Sequence, residues 1–210
     1  MNKPSVLLIN GSPHRNGCTY TALTEVAGPL HAQRINTRIF QLGKKPVRGC
    51  TACRYCKTHG HCAFNDDTVN EVIALITAAD GLVIGSPVHY ASPNGALLAL
   101  LDRVFYAGGG HFAYKPAAAV VSCRRGGGTA SFDVLNKYFT ISQMPVVSSQ
   151  YWNIVHGNTP DEVRQDAEGL QIMRTLGRNM AWLIKSLAAA RDTVPLPVTE
   201  PVAQRTNFIR

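Results

Sequence analysis

Short apolar runs alternate along this chain with longer segments whose apolar residues recur every three to four positions. Ser5–Asn10 is an apolar, β-rich run, and Ile35–Leu42 alternates in the manner of a half-buried strand. Gly81–Gly85, Ala117–Cys123 and Pro145–Tyr151 continue the series. Between them, helical spacing predicts helices over Thr19–His31, Ala96–Tyr106 and Ala130–Ile141. Another opens at Thr68-x-x-Glu71, which has capping-box spacing, and carries Val69, Val72, Ile73 and Ile76 on one face. Thr159-Pro160-Asp161-Glu162 starts a last helix, predicted to run unbroken through Val163, Ala167, Leu170, Met173, Leu176, Met180, Leu183 and Leu187.

Continuous apolar strands alternating with helices imply a parallel sheet covered on both faces. Five such units fit an α/β fold with a doubly wound five-stranded parallel sheet, order 2-1-3-4-5, and a Cys-rich loop after strand 2. The expected organisation is one domain over residues 1–191 and an extended tail over 192–210, where Pro195, Pro197 and Pro201 exclude a helix. In such sheets ligands bind beyond the carboxyl ends of the strands.

Composition narrows the class. With 45% apolar and 16% charged residues in 210, the chain can fill a core without staples. The run Val6–Ile9 is too short for a signal segment, and the uncharged stretch Tyr138–Pro160 is broken by Ser, Gln, Asn and Pro. The expectation is a cytoplasmic protein with reduced thiols and no membrane partner. The net charge of +8 is spread over scattered pairs, which suits a small anionic cofactor better than nucleic acid, so no nucleic-acid partner is expected.

Three loops carry candidate chemistry. Gly11-Ser12-Pro13-His14-Arg15-Asn16-Gly17-Cys18-Thr19 joins a strand to a helix, where backbone N–H groups, hydroxyls and the helix dipole converge. It lacks the Walker lysine and the Gly-x-Gly-x-x-Gly dinucleotide spacing. What remains is a cradle for one phosphate, or an ordinary polar turn. Pro87, Val88, His89 and Tyr90 precede Asn94 and Gly95, placing an aromatic ring and donors beside the next helix start. Cys123, Arg124, Arg125, Gly126 and Gly127 add N–H groups and positive charge in the third loop; Cys18 and Cys123 read as small fillers. Separately, Cys50, Cys53, Cys56 and Cys62 form a C-x2-C-x2-C-x5-C run. That spacing can hold a [4Fe–4S] cluster; zinc, with His59 and His61 nearby, and free thiols are the other readings.

Gly11-Ser12-Pro13-x-x-Asn16-Gly17-x-Thr19, with Gly85-Ser86-Pro87-Val88-x-Tyr90, Gly95 and Asp102-Arg103, resembles the flavodoxin-like NADPH-dependent FMN reductase family, closest to its iron–sulfur flavoprotein branch. The resemblance spans Ser5 to about Leu187, and the ending Arg205–Arg210 is similar to tails of this group. His89 departs from the pattern, standing where many relatives carry an aromatic. The resemblance implies that Ser12, Arg15, Asn16, Gly17, Cys18 and Thr19 hold the FMN phosphate, with His14 and Cys123 also among the cofactor-binding residues. Pro87, Val88, His89, Tyr90, Asn94 and Gly95 would line ribityl and ring, and Arg124 to Gly127 would face the pyrimidine edge. NADPH or NADH would donate electrons through the flavin to a small-molecule acceptor such as a quinone, free flavin, nitro-compound or metal ion. The alternative is an electron carrier served by a ferredoxin-like partner through a [4Fe–4S] cluster on the cysteine run. Relatives also imply a homodimer or homotetramer, with the last helix and Phe208 and Ile209 as candidate contacts.

Overall fold

The computed structural model describes residues 3–198 together with Glu200, Val202 and Thr206. Strands β1 (Ser5–Asn10), β2 (Asn36–Gln41), β3 (Gly81–His89), β5 (Ala117–Cys123) and β6 (Ile154–His156) form a parallel sheet in the order β2-β1-β3-β5-β6. A two-residue strand, β4 (Ser92–Pro93), turns back antiparallel on the end of β3. Counting parallel strands alone, the order is the expected 2-1-3-4-5. The helices are α1 (Cys18–Ala32), α2 (Cys56–His59), α3 (Val69–Ala78), α4 (Gly95–Gly108), α5 (Gly128–Ile141), α6 (Pro160–Gln165) and α7 (Ala167–Ala190).

The sheet separates two apolar layers, and successive residues of each central strand enter opposite ones. Leu7 and Ile9 of β1 join Ile84, Leu97, Leu100 and Phe139 on the side of α3, α4 and α5. Val6 and Leu8 join Val26, Leu30, Met173 and Met180 on the side of α1 and α7. Burial on both faces is why these strands read as unbroken apolar runs. A Cβ on Gly177 of α7 would lie 2.5 Å from the carbonyl oxygen of Val26, so glycine lets α7 approach the backbone of α1.

Three expectations are corrected. The last parallel strand is Ile154–His156, paired with Val121, Ser122 and Cys123, rather than Pro145–Tyr151; only Val146 bridges the sheet upstream, at Ala117. Buried Asn153 explains the offset: its side-chain amide donates to the carbonyl of Ala119 and its own carbonyl accepts from Val121 N–H, so the chain rejoins the sheet one step later. The helix expected to run on from Thr159 is broken at Asp166. That carboxylate accepts from Gly169 N–H and from His156 N–H, capping α7 while anchoring the end of β6. Thr159 itself caps α6, accepting from Glu162 N–H. At α3 the expected Thr68 side-chain cap does not form; Asp67 Oδ1 accepts from Val69 N–H instead.

The tail over 193–198 is exposed, with the Tyr114 hydroxyl donating to the carbonyl of Pro197. Phe208 and Ile209 lie outside the described residues. Among the described residues no helix is long and apolar enough to cross a membrane.

Candidate functional site

The loop from Gly11 to Gly17 leaves β1 at its carboxyl end and is held by side chains from the strands beneath it. Asn10 is fully buried; its amide nitrogen donates to Gln41 Oε1 at 2.6 Å and to the carbonyls of His14 and Arg15 at 3.4 and 3.3 Å. Asn10 Oδ1 accepts from Ser12 N–H, and Gln41 Nε2 donates to the Ser12 carbonyl at 2.7 Å. Gly11 N–H donates to the Gly85 carbonyl, tying the loop to β3. Loop spacing alone points to neither Asn10 nor Gln41. Their signal is a polar side chain closing an otherwise apolar strand, where burial demands partners.

At the far end, α1 begins at Cys18 with Gly17 as its N-cap. No side chain caps it, and its first turn holds no acid. Those orphan N–H groups, at the positive end of the helix dipole, are what a phosphate satisfies. His14, Arg15 and Asn16 are exposed around this opening, whereas Ser12 is buried, its hydroxyl accepting from His14 N–H. Thr19 is buried too. Its hydroxyl pairs with that of Ser122 at 2.8 Å, bracing α1 against the end of β5.

The second loop doubles back through β4. Tyr90 and Ala91 both take left-handed backbone angles (φ 50° and 57°), and the Tyr90 ring stands free in solvent. Left-handed backbone at a non-glycine residue costs about 1–2 kcal/mol, a cost that clusters at functional sites. Pro87 and Val88 are half-buried, and His89 is exposed. Asn94 Oδ1 accepts from Ala96 N–H, capping α4, and Gly95 beside it is open to solvent. In the third loop Cys123 is buried and Arg124, Arg125 and Gly126 are exposed. Gly127, at φ +87°, packs so closely on the second loop that a Cβ there would lie 2.5 Å from Ala91 Cα. All three loops thus meet at the carboxyl edge of the sheet, where Cys18 Sγ also reaches the Gly157 carbonyl at 3.7 Å.

Burial pushes the thiol pKa of both Cys18 and Cys123 up. In thiol-free buffer at pH 7.5, maleimide followed by peptide mapping is expected to leave both largely unlabelled, with modification climbing only above the ordinary thiol range. Rapid labelling of either at pH 7.5 would mark a nucleophile in place of a filler.

The cysteine run lies against the second half of α4, beside Arg103, Tyr106 and Ala107. Cys50, Cys53, Cys56 and Cys62 are all free thiols and line one cavity with Phe64, Arg103 and Tyr106. Cys50 and Cys53 are exposed, Cys56 is half-buried and Cys62 is buried. Ala52 and Arg54, between the cysteines, are held left-handed (φ 53° and 61°). Tyr55 stacks on His59 with centroids 3.7 Å apart. Among the described residues no three His, Cys, Asp or Glu side chains are gathered as a single metal ion would require.

The sequence matches the description NADPH-dependent FMN reductase over residues 4–159. It is 30% identical to an iron–sulfur flavoprotein of Methanocaldococcus jannaschii over 188 residues, covering 86% of this chain and 97% of that protein. Among solved structures, RosB with bound 8-demethyl-8-formylriboflavin-5'-phosphate superposes with a TM-score of 0.69 at 15% identity, covering 99% of this chain and 94% of that one. A WrbA-like flavodoxin of Agrobacterium tumefaciens superposes with a TM-score of 0.61 at 13% identity over 89% of this chain and 99% of its own.

Proposed function

The chain belongs to the NADPH-dependent FMN reductase family, in its iron–sulfur flavoprotein branch, and from that premise we propose that it carries electrons from NADPH or NADH through FMN to a small-molecule acceptor. The single observation that carries the cofactor assignment is the uncapped, acid-free start of α1 facing a loop pinned by Asn10 and Gln41. Bound there, FMN would supply hydride acceptance and electron release.

The chain's own residues bind and orient. The N–H groups at the start of α1, with Arg15 and Asn16 above them, take the phosphate; Ser12 and Thr19 keep the loop and helix in place through their bonds to His14 and Ser122. Pro87 to Tyr90 and Gly95 border the ribityl and ring, and Asn94 shapes that border by capping α4. Arg124, Arg125 and the N–H groups to Gly127 place positive charge at the pyrimidine edge, where a reduced ring is most negative.

A second reading, an electron carrier serving a ferredoxin-like partner, is favoured by the cysteine cavity. Four thiols line that one cavity, and cysteine thiolates are the ligands a [4Fe–4S] cluster takes. Exposed Lys44, Lys45, Arg48, Arg54 and Lys57 on the same segment offset thiolate charge and suit an acidic partner.

Anaerobic purification decides between them. The expected product is yellow with about one FMN per chain, and a broad visible shoulder with bound iron if the run is loaded. Rapid NADPH or NADH oxidation supports the first reading; reduction only by a reduced partner protein supports the second. Protein that stays colourless and takes up no FMN at micromolar levels overturns both.

A further inference from the structure

Arg103 of α4 is 2% exposed, deeper than any other charged residue described. A guanidinium so placed requires partners for its donors and its charge. Nη1 donates to the Asp67 carboxylate and to the Arg48 carbonyl at 3.2 Å, and Nη2 to the Phe64 carbonyl at 3.5 Å. Nε and Nη2 also both aim at Cys62 Sγ, at 3.3 and 3.2 Å. A neutral thiol is a poor acceptor for two donors of a buried cation, whereas a sulfur carrying negative charge is a good one. A guanidinium keeps its charge at any working pH, and the Asp67 carboxylate offsets that charge here. Phe64 lies beneath both Arg103 and Arg48, with the Arg103 guanidinium carbon 5.4 Å from the ring centre.

The other three cysteines are treated differently. Cys50 and Cys53 are exposed, and Cys56 Sγ only approaches the Tyr106 carbonyl, at 4.0 Å. Among the described residues, Cys62 alone of the run is buried with side-chain donors on its sulfur.

We propose that Arg103 is the positioning residue of the cysteine run: its two N–H donors hold Cys62 Sγ as the fixed ligand and stabilise the electron-rich state of a cluster bound there. This rests on the cluster reading above. One-electron reduction by a reduced flavin or partner protein, which is oxidised in turn, would add negative charge to the cluster with no proton moved. Hydrogen bonds to ligand sulfur would favour that charge, raising the midpoint potential.

The test uses the anaerobically purified or iron- and sulfide-reconstituted full chain, with iron, sulfide and FMN contents and an EPR-monitored redox titration. R103K keeps the charge but loses the planar fork, and its midpoint potential is expected to fall. D67N removes the opposing carboxylate while leaving Arg103 on Cys62, and its potential is expected to rise. An R103K protein with full iron and an unmoved potential overturns the proposal. Should R103K not fold, an unmoved potential in D67N overturns it instead. Wild-type protein that binds FMN yet takes up no iron on reconstitution also overturns it, leaving the flavin reading intact. Iron uptake without FMN binding would sink the flavin reading alone.

Discussion

Replacing Asn16 by aspartate is expected to weaken FMN binding about tenfold or more. Asn16 is exposed at the mouth of the β1–α1 loop, beside the uncapped first turn of α1. A carboxylate there meets a doubly charged phosphate. Two unit charges at 4 Å repel by about 1 kcal/mol in water and about 4 kcal/mol near a protein surface, and tenfold in affinity is about 1.4 kcal/mol. Salt should shrink the effect, because exposed charges are screened over roughly 8 Å at physiological ionic strength. Fluorescence titration with FMN and with riboflavin separates causes. Riboflavin lacks the phosphate, so its affinity should be unchanged by N16D; equal losses for both ligands would mean that the loop had collapsed. Unchanged FMN affinity would remove the phosphate from this loop.

Replacing Gly127 by alanine is expected to cost about 2–5 kcal/mol of stability and to weaken FMN binding with it. The residue sits at φ +87°, where an L side chain costs about 1–2 kcal/mol. Its Cβ would also press on Ala91 Cα and, at 2.9 Å, on Val88 Cγ1, and overpacking of this kind costs about 1–3 kcal/mol. Ala91 belongs to a turn already strained at φ 57°, so relief must come from parting the second loop from the third. For a chain of this size the loss corresponds to a fall in Tm on the order of 10 °C. Gly110→Ala is the matched control, since nothing lies within 4 Å of a Cβ at that position. A G127A protein as stable as the control would show that the two loops need not touch.

The cofactor loop and the cysteine run were legible in sequence because each is local. Gly11 to Thr19 is one strand-to-helix turn, and its phosphate chemistry follows from a glycine-bounded polar loop opening a helix. Cys50 to Cys62 announces ligand chemistry by spacing alone. What holds these segments was not legible. Thr19 reads as a phosphate-facing hydroxyl, yet it is paired with Ser122, 103 residues away. Arg103 reads as half of a helix signature, yet its guanidinium reaches Cys62, 41 residues upstream. No periodicity links such partners, because their meeting depends on which strands neighbour each other and in what register.

The same division runs through the fold. Burial on both faces of the sheet writes itself into the chain as uninterrupted apolar runs, and helix starts such as Thr159 are set within four residues, so sheet class and strand order follow from local pattern and general winding rules. The exit of the last strand at Ile154 and the break at Asp166 were decided elsewhere, by Asn153 against Ala119 and Asp166 against His156. Patterning records how much of each segment leaves water; tertiary contact decides which buried polar group satisfies which, and that pairing is a property of two distant segments at once.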